Sequence, residues 1–191
     1  LDKLGSMPPD TKGEFRAYYS NRLEPAMLEE TRRYFHYVLH ENRSVRDFVD
    51  SDYSFVNAGL AELYRVPFEG NGKEFRRIIF PSGSPRGGVL TQGSVLTLTA
   101  NGVDTSPVER GVWVLRDLLG TPTPPPPKEV PALTPDLNGA ETVRDMLEKH
   151  RSDAACMECH RRIDPLGFAL ESFDPIGRER TRYSPKQAVS T

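Results

Sequence analysis

The chain holds only two cysteines, and they stand three residues apart with a histidine directly behind them: Cys156, Cys159 and His160, in the run C-M-E-C-H. C-x-x-C-H is the signature of covalent c-type haem attachment. On a helical turn, residues three apart share a face. Both sulfurs of Cys156 and Cys159 can then meet the two vinyl groups along one porphyrin edge, and His160 can give its imidazole to the iron as proximal ligand. One covalent haem c is the cofactor this implies. Three other uses compete. A dithiol redox pair needs only C-x-x-C, yet no thioredoxin-like βαβ run surrounds it. A structural zinc site needs four ligands, and three crowded ones are offered with no second C-x-x-C. A disulfide across two residues is strained and stabilises little.

The sixth iron ligand is a separate question. Neither Met nor His follows His160, so a distal ligand comes from upstream or is a weaker donor such as Tyr183. His36 and His40 are four apart, but they align with Glu29 and Arg33 and read as a solvated helix face. Met27 lies on an apolar stripe as core filler, Met7 sits in a loop, and Met157, between the thiols, points away from the iron. In ETVRDMLEKH, the positions Val143, Met146, Leu147 and His150 follow the helical period and share a face. His150 is the first candidate for distal ligand and Met146 the second, with an open or otherwise ligated iron as the remaining case. Only five residues separate His150 from Cys156, so reaching the opposite haem face requires a tight turn at RSDAA. Met ligation raises the potential, bis-His lowers it, and an open position permits peroxide or oxygen chemistry.

The elements around these residues read as mainly α. From Pro25 to His40, apolar positions at Met27, Leu28, Thr31, Tyr34, Phe35, Val38 and Leu39 predict an amphipathic helix. Ser44 caps a short helix through Val49, and Phe55–Val66 repeats the helical period until Pro67 stops it. Glu74–Phe80 reads as a short strand, 81–93 as a glycine-rich loop, and 93–100 as a helix. Ser106 and Pro107 start a helix that ends before Gly120, with Trp113 as a core anchor. Residues 121–131, TPTPPPPKEVP, form an extended strap across the surface, favoured over a PxxP recognition ligand. A helix near 140–151, the cysteine segment and a helix near 165–173 complete the chain, the last capped by Asp164 with Pro165 in its first turn. Two modules are expected: a helical one at 1–68 and a haem domain at 69–191, whose small core the porphyrin would complete.

Composition fits this and excludes other classes. At 37% hydrophobic and 27% charged, 191 residues suit one or two compact domains rather than a coiled coil, a collagen or a disordered tail. A net charge of −2 recommends neither nucleic acid nor an anionic membrane surface as partner. No run approaches the roughly 18 apolar residues of a transmembrane segment. Leu1 is not an initiator, so a processed product or an excised piece of a longer chain is expected.

Two long stretches carry a family likeness: RGGVLTQGSVLTLTANGVDTSPVERGVWVLRDLLGTPTPPPP and HRSDAACMECHRRIDPLGFALESFDPIGRERTRY. Together they resemble the cytochrome c-type haem-binding domain of large secreted multi-domain proteins of planctomycetes. Residues 20–67, ending DFVDSDYSFVNAGLAELYRVP, resemble the helical domain of unknown function that precedes it there. The resemblance implies haem on Cys156 and Cys159, His160 as iron ligand, residence in the periplasm or at the cell surface, and one-electron transfer. Redox partner proteins or other redox domains of the parent polypeptide would be its partners. A haem enzyme with peroxidase-like or oxidative activity at an open distal site is the alternative. The family pattern also includes His150–Arg151 and the segment from Asp164 to Asp174. Leu166, Phe168, Ala169, Leu170 and Phe173 could wall a haem edge or form ordinary core, and Arg161, Arg162 and Arg178 could pair with propionates or face solvent.

Overall fold

A computed structural model describes residues 1, 3–6, 8–11, 15–124, 154–184 and 187–188. The protein is mainly helical, as its sequence predicts. Packing divides it into two compact units, Leu1–Thr105 with Phe173–Glu179, and Ser106–Ser172 with Arg180–Thr191. That differs from the expected division after residue 68. The expected helix near 140–151 and residues 125–131 of the proline-rich strap lie outside the described residues.

The first unit is organised by helix α2, Leu23–His40, which follows a short α1, Arg16–Ser20. Its buried face is Leu23, Ala26, Met27, Glu30, Thr31, Tyr34 and Val38. The predicted stripe is thus rotated: Phe35 is 43% exposed and Leu39 70% exposed, whereas the charged Glu30 is fully buried. Ser44 accepts a hydrogen bond from the Arg46 amide and caps a 3₁₀ turn, Val45–Phe48.

The helix expected over Phe55–Val66 is shorter than its periodicity. Tyr53–Val56 form strand β1, paired antiparallel with β2, Arg76–Ile79, in the register Tyr53↔Ile79 to Val56↔Arg76. Helix α3, Ala58–Tyr64, begins only after Asn57, whose side chain accepts from the Leu60 amide at 3.0 Å. The ladder and this cap decide the boundary, because Asn at the cap satisfies an end amide that an earlier start would leave elsewhere. A 3₁₀ turn, Val89–Thr91, leads into α4, Gly93–Leu98. Phe15, Leu23, Met27, Val56, Leu60, Phe80 and Ile176 make the core, each fully buried apolar side chain contributing about 1.5–3 kcal/mol.

Residues Phe173–Glu179 close on themselves within this unit. Asp174 accepts from the Ile176 and Arg178 amides at 3.0 and 2.8 Å and from Arg178 Nε at 2.6 Å, and Phe173 bridges to Glu179. Ile176 is held fully buried by this loop.

In the second unit, α5 (Pro107–Trp113) starts at the Ser106 cap, with the Glu109 amide donating to Ser106 Oγ, and runs on into a π-turn, Val114–Leu118. Trp113 is half-buried rather than a fully buried anchor. Helix α6, Ala154–Phe168, passes straight through Pro165, so no new helix starts there. Proline inside a helix removes one backbone hydrogen bond and costs roughly 3 kcal/mol. Packing on both sides of it accounts for the continuation. A methyl built on Gly111 of α5 would overlap the Ile163 carbonyl oxygen, and one built on Gly167 of α6 would overlap that of Pro107. The two helices therefore cross backbone to backbone at two points, four residues apart on each.

Beyond α6, the buried Arg110 Nη1 donates to the Leu170 carbonyl at 2.6 Å and pairs with the equally buried Glu171 at 2.7 Å. Arg180 reaches the other carboxylate oxygen of Glu171 at 3.2 Å. A short ribbon of β3, Arg182–Ser184, and β4, Gln187–Ala188, follows.

Candidate functional site

Cys156 and Cys159 are the third and sixth residues of α6, and His160 follows. A helix advances about 1.5 Å per residue and brings positions i, i+3 and i+4 onto one face. The two thiols and the imidazole accordingly share a face of one rigid element. Both cysteines are free thiols and half-buried. Met157 between them is 41% exposed, and Glu158 is occupied by an exposed pair with Arg161 at 2.6 Å.

Asp164, one turn further along α6, accounts for the orientation of His160. Its Oδ1 lies 2.9 Å from His160 Nδ1, and the Asp164 side chain is only 3% exposed. In the tautomer with the proton on Nδ1, His160 donates to this carboxylate, which when ionised can only accept. An imidazole committed through Nδ1 would present Nε2 to an iron. The sequence-level role of Asp164 as a helix cap is thus replaced by contact with the histidine four residues before it.

The donor set is compatible with a c-type haem: two free thiols one turn apart, with an imidazole beside them whose Nδ1 faces a carboxylate oxygen. His150 and Met146, the candidate distal ligands, lie outside the described residues. Among the described residues, no three His, Cys, Asp or Glu side chains converge as ligands for a metal ion. The five apolar residues that could wall a haem edge or form ordinary core differ in burial. Phe168 and Leu170 are buried, Leu166 is half-buried and Ala169 exposed, while Phe173 is buried under the Arg86 guanidinium, 4.8 Å from its ring centroid. Of the arginines considered for propionates, Arg161 and Arg162 are exposed, and Arg178 pairs with Asp174.

His36 and His40 are both exposed on α2, as their placement opposite the buried face requires, with rings stacked at 3.9 Å. The feature that sequence reading missed lies in the first unit. Glu30, fully buried, accepts from Ser54 Oγ and from Tyr64 Oη, each at 2.6 Å. Arg86 lies 4.0 Å over the Tyr64 ring and donates to the carbonyls of Thr91 and Gly177. Burial pushes the Glu30 carboxyl up to about 7, although Ser54, Tyr64 and Arg86 all pull it down. The spacing of Glu30 from Met27 and Tyr34 was the available signal, since it puts a carboxylate on the core face. Every oxygen of that carboxylate is bonded inside the core, so it offers no accessible chemistry.

The family comparisons fall along these features. The model of PSD4, a protein of unknown function (DUF1592), matches residues 1–66, inside the first unit. The model of PSCyt3, a protein of unknown function (DUF1588), matches residues 86–183. That second match starts at Arg86 and takes in both α6 and the Phe173–Glu179 loop, so it draws on both compact units. No curated protein and no solved structure matches the chain. With just over half its length matched from Arg86 through the C-M-E-C-H turn and beyond, the chain belongs to the PSCyt3 family, proteins of unknown function (DUF1588).

Proposed function

We propose that the chain carries one haem, attached through thioethers at Cys156 and Cys159 with His160 as an axial iron ligand, and that it transfers single electrons. The observation that carries this reading is the shared face of α6, where two free thiols and an imidazole stand within one helical turn. Attachment needs thiols in this state. Each S–H adds across a vinyl C=C, sulfur to one carbon and hydrogen to its neighbour, so atoms balance and no oxidant is required. Haem, when bound, supplies a one-electron ferric/ferrous couple. Cys156 and Cys159 would fix the porphyrin edge, and His160, steadied by Asp164, would give Nε2 to the metal. Membership of a family whose model is named PSCyt3 agrees with a cytochrome-like role. Partners would be redox proteins or other redox domains of a longer polypeptide. Residence in the periplasm or at the cell surface belongs to the same proposal and rests on the likeness to secreted proteins.

The chain expressed with c-type maturation machinery tests this. The expected result is an intact mass raised by one haem and a c-type pyridine haemochrome, both lost in the Cys156→Ser, Cys159→Ser double variant. A colourless product of unmodified mass from a competent host overturns the proposal.

A further inference from the structure

We infer that Asp164 is a positioning residue that makes His160 a stronger iron donor and so holds the iron's reduction potential low. This rests on the haem reading above. His160 and Asp164 are four residues apart on one helix, their Nδ1 and Oδ1 2.9 Å apart, and their side chains are 16% and 3% exposed. Neither end of the contact sits on a loop, so its geometry is set by the helix itself.

Metal-ligating histidines give their second N–H to a carboxylate, a backbone carbonyl or water, and that partner tunes the basicity of the ligand. Of the three, only a carboxylate carries a full negative charge. Its pull on the Nδ1 proton enriches the ring in electron density, and Nε2 donates more strongly. The ferric state, with one more positive charge, gains more from that than the ferrous state. Little solvent reaches Asp164, which strengthens the effect, because charge interactions grow as the local dielectric falls. Reduction of a bound haem would take one electron from an external reductant or electrode, with the proton between His160 and Asp164 neither gained nor lost.

Orientation and charge can be separated. Holding the ring needs only an acceptor, which asparagine supplies through its side-chain oxygen. Lowering the potential needs the charge. A purely structural Asp164 would therefore leave the potential of Asp164→Asn where it was.

The experiment is spectroelectrochemical titration of the full-length haem-loaded chain, wild type against D164N and D164E, with loading checked first by intact mass. In D164N the potential should rise, each shift of about 59 mV marking a tenfold higher ferrous-to-ferric ratio at a fixed potential. D164E, which keeps the charge, should stay much closer to the wild type. Should D164N fail to load, D164S carries the same test, being neutral with an acceptor oxygen, and the same upward shift is expected. A loaded neutral variant with an unmoved potential overturns this inference alone. A wild-type chain that takes up no haem overturns the haem reading and this inference with it.

Discussion

The two compact units both bury charged side chains, but they surround them differently. The first encloses a cluster of long polar side chains inside an apolar core, Glu30 accepting from Ser54 and Tyr64 while Arg86 lies over the Tyr64 ring. The second brings two helix backbones together through Gly111 and Gly167, and the buried Glu171, paired with Arg110 and Arg180, ties the turn beyond. The contrast bears on function. The groups of the first unit with the most perturbed titration are sealed and satisfied, which is the mark of a structural network as often as of an active site. The half-buried thiols and imidazole of α6 lie in the second unit, where they can still be reached. A buried charge marks where a fold is held; accessible soft donors on a rigid helix mark where a cofactor can be held.

Four perturbations sharpen that contrast. The largest effect is expected for Arg86→Met, which strips the Glu30 cluster of its cation and leaves the Thr91 and Gly177 carbonyls without their donor. A loss of about 3–5 kcal/mol is expected, as when one member of a buried charged cluster is removed. Chemical denaturation followed by far-UV circular dichroism measures it, and a loss under 1 kcal/mol would show the cluster to be dispensable.

Next in size is the pH dependence of the first unit. The Glu30 carboxyl is raised in the folded state to about 7 from its ordinary 4.5, so the folded state binds its proton more tightly than the unfolded chain does. Its stabilising contribution is complete below about 4.5 and is lost as pH rises through about 7, a fall of up to about 3 kcal/mol. Glu30→Gln should flatten that part of the stability profile. An unchanged slope in the variant would mean that other groups produce it.

Gly167→Ala probes the second unit. Its methyl meets a backbone oxygen that cannot swing aside, so destabilisation at the upper end of about 1–3 kcal/mol is expected. The chain has a single tryptophan, Trp113, on α5, and its fluorescence should report this loss selectively, with the first unit's transition unmoved. The smallest effects are those of the helix caps. Asn57→Ala in one unit and Ser106→Ala in the other should each cost about 1 kcal/mol. Equal costs, read by the same denaturation curves, would show that local cap chemistry is indifferent to the contrast above.

Much of this architecture was legible in the sequence wherever local rules act alone. The caps at Ser44 and Ser106, the long helix ending at His40 and the strand around Arg76–Ile79 follow from side-chain chemistry within a few residues. Phe55 and Val56 were misread because their spacing also fits a helix, and only pairing with Arg77 and Arg76 makes them a strand. Pro165 was misread for a related reason. Asp-Pro is a strong local start signal, and it is overruled by contacts with α5, a helix more than forty residues earlier.

The C-M-E-C-H run determines by itself that two thiols and an imidazole share a helical face, because 3.6 residues per turn leaves no other outcome once the segment is helical. What the tertiary structure decided is which neighbours those groups have. It kept α6 unbroken through Pro165, which put Asp164 one turn from His160 and inside the protein. It also turned Glu30 inward, against the habit of its residue type. Periodicity fixes which residues share a face, while only packing fixes what that face meets, since burial depends on segments far apart in the chain.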